Sequence, residues 1–181
     1  MTRDQALELL HEYTPSENLR KHAYAVEAAM AAYAERFGED VEAWRVCGLL
    51  HDFDYERHPD EHPRKGNEIL AEQGVGEDIR TAILGHADAA PRESRMAKTL
   101  FAVDELCGFL IACALVRPDR SFSSMKARSV KKKLKDKRFA AQVSREDIYK
   151  GAEDLGVPFD EHVLFVAHAL SGVASSLGLE P

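Results

Sequence analysis

VEAWRVCGLLHDFDYERHPDEHPRKGNEIL, residues 41–70, decides the fold. Trp44, Cys47 and His51 recur at helical spacing, and Asp40 just before them can cap the first free amides of a helix. That helix ends by delivering the pair His51-Asp52. After a polar loop from Asp54 to Glu61, proline at 63 suits a first helical turn, so a short helix runs from around His62-Pro63 to near Gly74. His62, Gly66 and Ile69 share one face of it. Nothing in the stretch alternates with period two between turn signals, so it reads as helix, loop, helix.

The same periodicity extends in both directions. Upstream, a first helix spans about Arg3 to His11. A second opens near Ser16, closes at Gly38, and carries Leu19, Ala23, Val26, Met30, Tyr33 and Phe37 on one face, with His22 on that face too. Downstream, a helix from about Glu77 sets Ile79, Ile83 and His86 in register. The most apolar stretch, Thr99 to Val116, has nearly the length of a membrane span but contains Asp104 and Glu105, and reads as a buried core helix. A break at Arg117-Pro118-Asp119 precedes a basic helix from Ser124 to Lys137, then helices Ser144 to Leu155 and Asp160 to Leu177. The expected fold class is all-α.

A chain of 181 residues supports one compact domain, 1–181, with a core over 17–116 and the helices of 120–178 packed on it. A net charge of −7 argues against general nucleic-acid binding, which rests on an excess of Lys and Arg. MTRDQALELLHEY lacks the apolar core and cleavage site of an export signal, and the expected location is cytoplasmic, away from membranes. Cys47, Cys107 and Cys113 form no CxxC pair and lie among apolar neighbours, as reduced buried thiols do. The basic run Lys126 to Arg138 is crossed by Ala127, Val130 and Leu134, the pattern of an amphipathic helix with a solvated face, and no aromatic stacking platform accompanies it.

An aspartate among Val103, Leu106, Phe109 and Ile111 is costly to bury as an unpaired anion, by several kcal/mol. Something positive must face Asp104. A metal fits, because His22, His51, His62 and His86 point inward from four different helices and offer imidazole nitrogens to one cavity. A single histidine on an apolar face is ordinarily a hydrogen-bonded core residue; the set carries the argument. By the same standard His11, His162 and His168 are surface or core histidines.

The order His22, His51-Asp52, Asp104 resembles the H…HD…D signature of the HD-superfamily phosphohydrolases, over Glu17 to about Val116. That likeness implies a helical bundle around a metal site. His62 and His86 fall where the binuclear branch supplies ligands to a second metal, which makes Asp52 the bridge. HPRKG, residues 62–66, is similar to the family's H-x-x-KG helix start, and VRPD with SVKKKLKDKRF resembles the tail of further bacterial and archaeal HD proteins. Two better-known substrates are disfavoured: HDFDYE lacks the HD-x-x-ED pattern of guanosine-tetraphosphate hydrolases, and no GYP follows His86 as in cyclic-di-GMP phosphodiesterases.

The resemblance implies two divalent ions on His22, His51, Asp52, His62, His86 and Asp104; the donors suit iron, manganese, cobalt, nickel or zinc better than magnesium. Ions so held acidify water to a nucleophile and stabilise the charge that develops in an in-line phosphoryl displacement. Asp52 and Lys65 are the catalytic candidates, Lys65 as a point charge for a phosphate oxygen. Asp54, Glu56 and His58 read mainly as loop residues, and Glu105 as a support for a ligating histidine. The expected function is hydrolysis of a small phosphate ester or nucleotide. Its alternatives are di-iron oxygenase chemistry on C–C or C–P bonds, known in the same superfamily, and a regulatory domain that keeps metal for structure.

Overall fold

The structure, a computed structural model, describes residues 1–180. It consists of α1 (Arg3–Tyr13), α2 (Glu17–Phe37), α3 (Val41–Leu50), α4 (Arg64–Glu72), α5 (Glu77–His86), α6 (Arg95–Leu115), α7 (Ala127–Leu134), α8 (Arg145–Leu155) and α9 (Phe159–Ser171), followed by a 3-10 turn at Ala174–Leu177. No strand occurs among the described residues, so the chain is all-α.

Local chemistry sets most boundaries. Thr2 accepts from the Gln5 amide while the Gln5 side chain accepts from the Thr2 amide, a reciprocal cap that starts α1. Asp40 caps the amides of Glu42 and Ala43 at the head of α3. Gly38 ends α2 at φ 69°, a left-handed conformation that glycine adopts without steric cost.

Three elements differ from expectation. The buried helix begins four residues before Thr99, at Arg95, because Ser94 caps it through the Ala97 amide. The basic helix is shorter than Ser124–Lys137. Past its end, the carbonyls of Asp136, Phe139, Ala140 and Val143 turn to the Arg145 guanidinium, which organises the turn that leads into α8. The last helix breaks at Gly172, and the chain re-forms as the 3-10 turn.

α2 and α6, each of 21 residues, form the centre. α2 packs along α3 and against α6 and α9; α6 packs against α5 and α8. The α2–α3 crossing is tight because residue 48 has no side chain: a Cβ there would lie 2.8 Å from the Glu27 Cα. Gly151 does the same for α8 on α6, where a Cβ would lie 2.5 Å from the Ala102 Cα. These approaches place the end of α3 beside His22 and the middle of α6.

Glu27 and His162 are among the polar groups buried in the core. Glu27 is held by Arg3 at 2.5 Å and Arg45 at 3.1 Å. His162, fully buried, meets the Tyr33 hydroxyl at 2.6 Å through Nδ1 and donates through Nε2 to the Ala102 carbonyl at 3.0 Å. It is a satisfied core histidine. All three cysteines are buried free thiols, and burial pushes each thiol pKa up, that of Cys113 to about 12. Thiolate chemistry is suppressed at that pKa. No helix among the described residues is long and apolar enough to cross a membrane.

Candidate metal centre

His22 comes from α2, His51 from the residue closing α3, Asp52 from the turn after it, His62 from just before α4, His86 from the end of α5 and Asp104 from α6. The fold brings all six to one place. His22 Nε2 lies 2.9 Å from Asp104 Oδ1 and 3.2 Å from His51 Nε2. His51 Nε2 is also 3.4 Å from Asp104 Oδ1 and 3.5 Å from Asp52 Oδ2. On the other side of Asp52, Oδ1 is 3.1 Å from His86 Nε2 and 3.3 Å from His62 Nε2.

The donors therefore fall into two groups, His22 with His51 and Asp52, and Asp52 with His62 and His86. Within each group the donor atoms lie within 4.8 Å of one another. Asp52 belongs to both, one oxygen toward each. Asp104 closes the first group through His22 and His51.

Three imidazoles are aimed by their outer nitrogens. His51 Nδ1 donates to the Gly48 carbonyl at 2.8 Å, and His86 Nδ1 donates to the Ile83 carbonyl. His62 Nδ1 donates to Asp54 Oδ1 at 2.7 Å. With one proton held on Nδ1, each ring turns its Nε2 into the cluster, the nitrogen that binds a cation once it has given up its own proton.

Asp54 is the residue that sequence reasoning undervalued. Far from lying on a loop surface, it is 1% exposed and its second oxygen accepts from the Gly66 amide at 2.8 Å. A Cβ on residue 66 would sit 2.7 Å from that carboxylate, so glycine is what lets the start of α4 close over it. No local pattern marks this contact, since the amide that locks Asp54 comes from residue 66, 12 positions along the chain.

The neighbouring candidates separate differently. Glu56 is exposed and accepts from the Ser16 amide at 3.0 Å. Glu105 supports no histidine; its carboxylate accepts from the Ser144 amide at 3.0 Å and ties α6 to the head of α8. Burial raises its pKa. Lys65 is on the first turn of α4, where its ammonium pairs with Glu68 at 2.8 Å.

Electrostatically the cluster is balanced by its own members. Burial opposes charge on Asp52, yet His51, His62 and His86 together hold its carboxyl well below the usual range. Burial likewise opposes charge on Asp104, and His51 and His22 hold it low. For His62, burial is outweighed by Asp52 and Asp54, which bring its pKa up to about 9. His51 and His86 are raised in the same way, against burial, by Asp52 and Asp104. Two anionic carboxylates facing four imidazoles form a cavity that attracts positive charge, whether protons or a metal.

Four imidazoles and two carboxylates, with three rings pre-aimed, suit borderline divalent metals. Residues 19–108 match the family model of the HD domain, and the chain carries an HD domain over that stretch. It is also similar to ribonuclease Y of Nitratidesulfovibrio vulgaris, from strain DP4 and from strain Hildenborough. In each case 31% of 97 residues are identical, covering 51% of this chain and 18% of the relative. The chain thus corresponds to less than a fifth of those proteins' length. No solved structure matches it at a significant level.

Proposed function

We propose that the protein is a metal-dependent phosphohydrolase acting on a small phosphate ester or nucleotide, with two divalent ions held by His22, His51, Asp52, His62, His86 and Asp104. The observation that carries the reading is the shared position of Asp52, one oxygen directed to each three-residue group. The HD-domain match supports a metal-dependent site, and the likeness to a ribonuclease, an enzyme that cleaves phosphodiesters, favours phosphoryl chemistry at it.

Bound metal would supply an acidified water and polarisation of a phosphoryl oxygen. The chain's own residues supply the rest. Asp52 positions both halves of the centre. Asp54 and the carbonyls of Gly48 and Ile83 keep the imidazoles oriented, so that little reorganisation is needed as charge develops. Asp52 and Asp104 retain 27% and 20% of their side-chain exposure, which leaves an open edge for substrate. Lys65, on the turn after His62, is the counter-charge for a phosphate oxygen, exchanging Glu68 for substrate.

The test is metal content after purification without added metal or chelator, followed by phosphate release from nucleotides and sugar phosphates. About two manganese, cobalt, nickel or zinc ions per chain, with phosphate release, is the expected result. No bound metal after reconstitution, or iron with oxygen consumption and no phosphate release, overturns the reading.

A further inference from the structure

A cleft of about 520 Å³ opens beside His22, within the roughly 300–1,000 Å³ typical of small-molecule sites. It shares that histidine with the metal centre. Its floor is the second half of α6, where Gly108, Ile111, Ala112 and Leu115 continue the face of Asp104. From Asp104 to Leu115 this floor runs roughly 16 Å at 1.5 Å per residue.

Gly108 is the informative position. Glycine is the least favourable helix-interior residue short of proline, and here no packing requires it: a Cβ would meet nothing within 4 Å. The space one turn beyond Asp104 is thereby left clear. Farther out, Leu115 is 48% exposed, an apolar side chain with little cover.

The rim is polar and cationic on a chain whose net charge is −7. Lys21, paired with exposed Glu17 at 2.8 Å, stands on one side, and Arg120 and Gln142 also line the cleft. Arg120 adopts φ 45°, in the left-handed region that side-chain-bearing residues seldom occupy. Its carbonyl accepts from the Glu180 amide at 3.2 Å and its guanidinium donates to the Gly178 carbonyl at 3.3 Å. No carboxylate pairs with it among the described residues. Ile111, Leu115, Arg120 and Gln142 all lie beyond the 19–108 family match, so this wall belongs to the chain's own C-terminal part.

We propose that this cleft binds the body of the substrate. It takes a phosphate ester with a flat or apolar body and a second anionic group, the reacting phosphate at the histidine cluster and the second anion at Arg120. The assignment rests on the hydrolase reading and adds the substrate class to it.

The experiment compares inorganic phosphate with adenosine 3′,5′-bisphosphate on the metal-reconstituted full chain, by calorimetry, with KM replacing Kd if the bisphosphate is turned over. The bisphosphate is expected to bind at least about tenfold more tightly than phosphate, as one added charge-assisted contact provides. Arg120→Ala and Gly108→Leu should each reduce that ratio roughly tenfold, with metal content and circular dichroism retained. Lys132→Ala, on α7 outside the cleft, should leave the ratio as it is. Equal affinity for both probes, a ratio unchanged in Arg120→Ala, or an equal loss in Lys132→Ala overturns the cleft assignment while leaving the metal centre standing. Failure of the metal-loaded protein to bind phosphate at all overturns the hydrolase reading, and this one with it.

Discussion

Asp52 touches three histidines with its two oxygens, so its loss removes a ligand from both halves of the centre. Asp52→Ala is expected to abolish metal retention and activity while leaving far-ultraviolet circular dichroism intact; an active, metal-loaded variant would refute the shared ligand. Asp54 tests orientation without ligation. Because it aims His62 and is itself locked by the Gly66 amide, Asp54→Ala should weaken metal binding about 10–100-fold, the usual cost of losing such a support. Lys65→Ala makes the opposite prediction: slower phosphate release with metal affinity unchanged. Metal loss in that variant would make Lys65 a structural residue.

Helix packing decides whether these side chains meet, and two glycines separate packing from propensity. Both lie in helix interiors, where alanine is favoured intrinsically. At residue 48 the α2 backbone stands 2.8 Å from any added Cβ, so Gly48→Ala must push α3 off α2. We expect a loss of about 1–3 kcal/mol in chemical denaturation, together with weaker metal binding as His51 moves from His22. At residue 108 nothing obstructs the Cβ, and Gly108→Ala should gain about 0.5–1 kcal/mol. Opposite signs are the expectation; destabilisation by both would mean that the open space beside α6 is not as described. Of these helices, the sequence reveals the caps at Asp40 and Gly38 and the apolar faces, since those depend on neighbours within a turn or two. Ser94 caps α6 just as locally, through the Ala97 amide, but stands ahead of the apolar run that begins at Thr99; the end of α7 leads into a turn held by Arg145, a contact the periodicity does not contain.

Across the whole molecule the centre couples folding, protons and metal. With no metal bound, the His62 pKa of about 9 exceeds its unfolded value, so its protonation stabilises the chelated protein below about pH 6.5. That contribution fades as pH rises through 9. The melting temperature of chelated protein should therefore fall between pH 6.5 and 9, in so far as His62 and its raised neighbours His51 and His86 govern it. Metal reverses the sign, because it needs the neutral imidazole: its affinity should climb over the same window, with proton release measurable by calorimetry in buffers of different ionisation enthalpy. Metal affinity independent of pH there would remove these histidines from the ligand set.

The all-α architecture and the six convergent residues were legible in the sequence. Helical periodicity says which way each side chain faces, and burying an aspartate among Val103, Leu106 and Phe109 demands a positive partner. The HD pair supplied the family resemblance. Asp54 was not legible, since a loop carboxylate looks solvated until α4 folds back and Gly66 admits it. Nor was the Glu105 contact with Ser144, which joins residues 39 apart in sequence. The cleft along Gly108 was equally hidden, because its wall comes from chain segments that meet only when the C-terminal helices pack on α2 and α6. Local chemistry reads from neighbours a few residues away, whereas the supports and walls of a site come from segments whose distance the sequence does not encode directly.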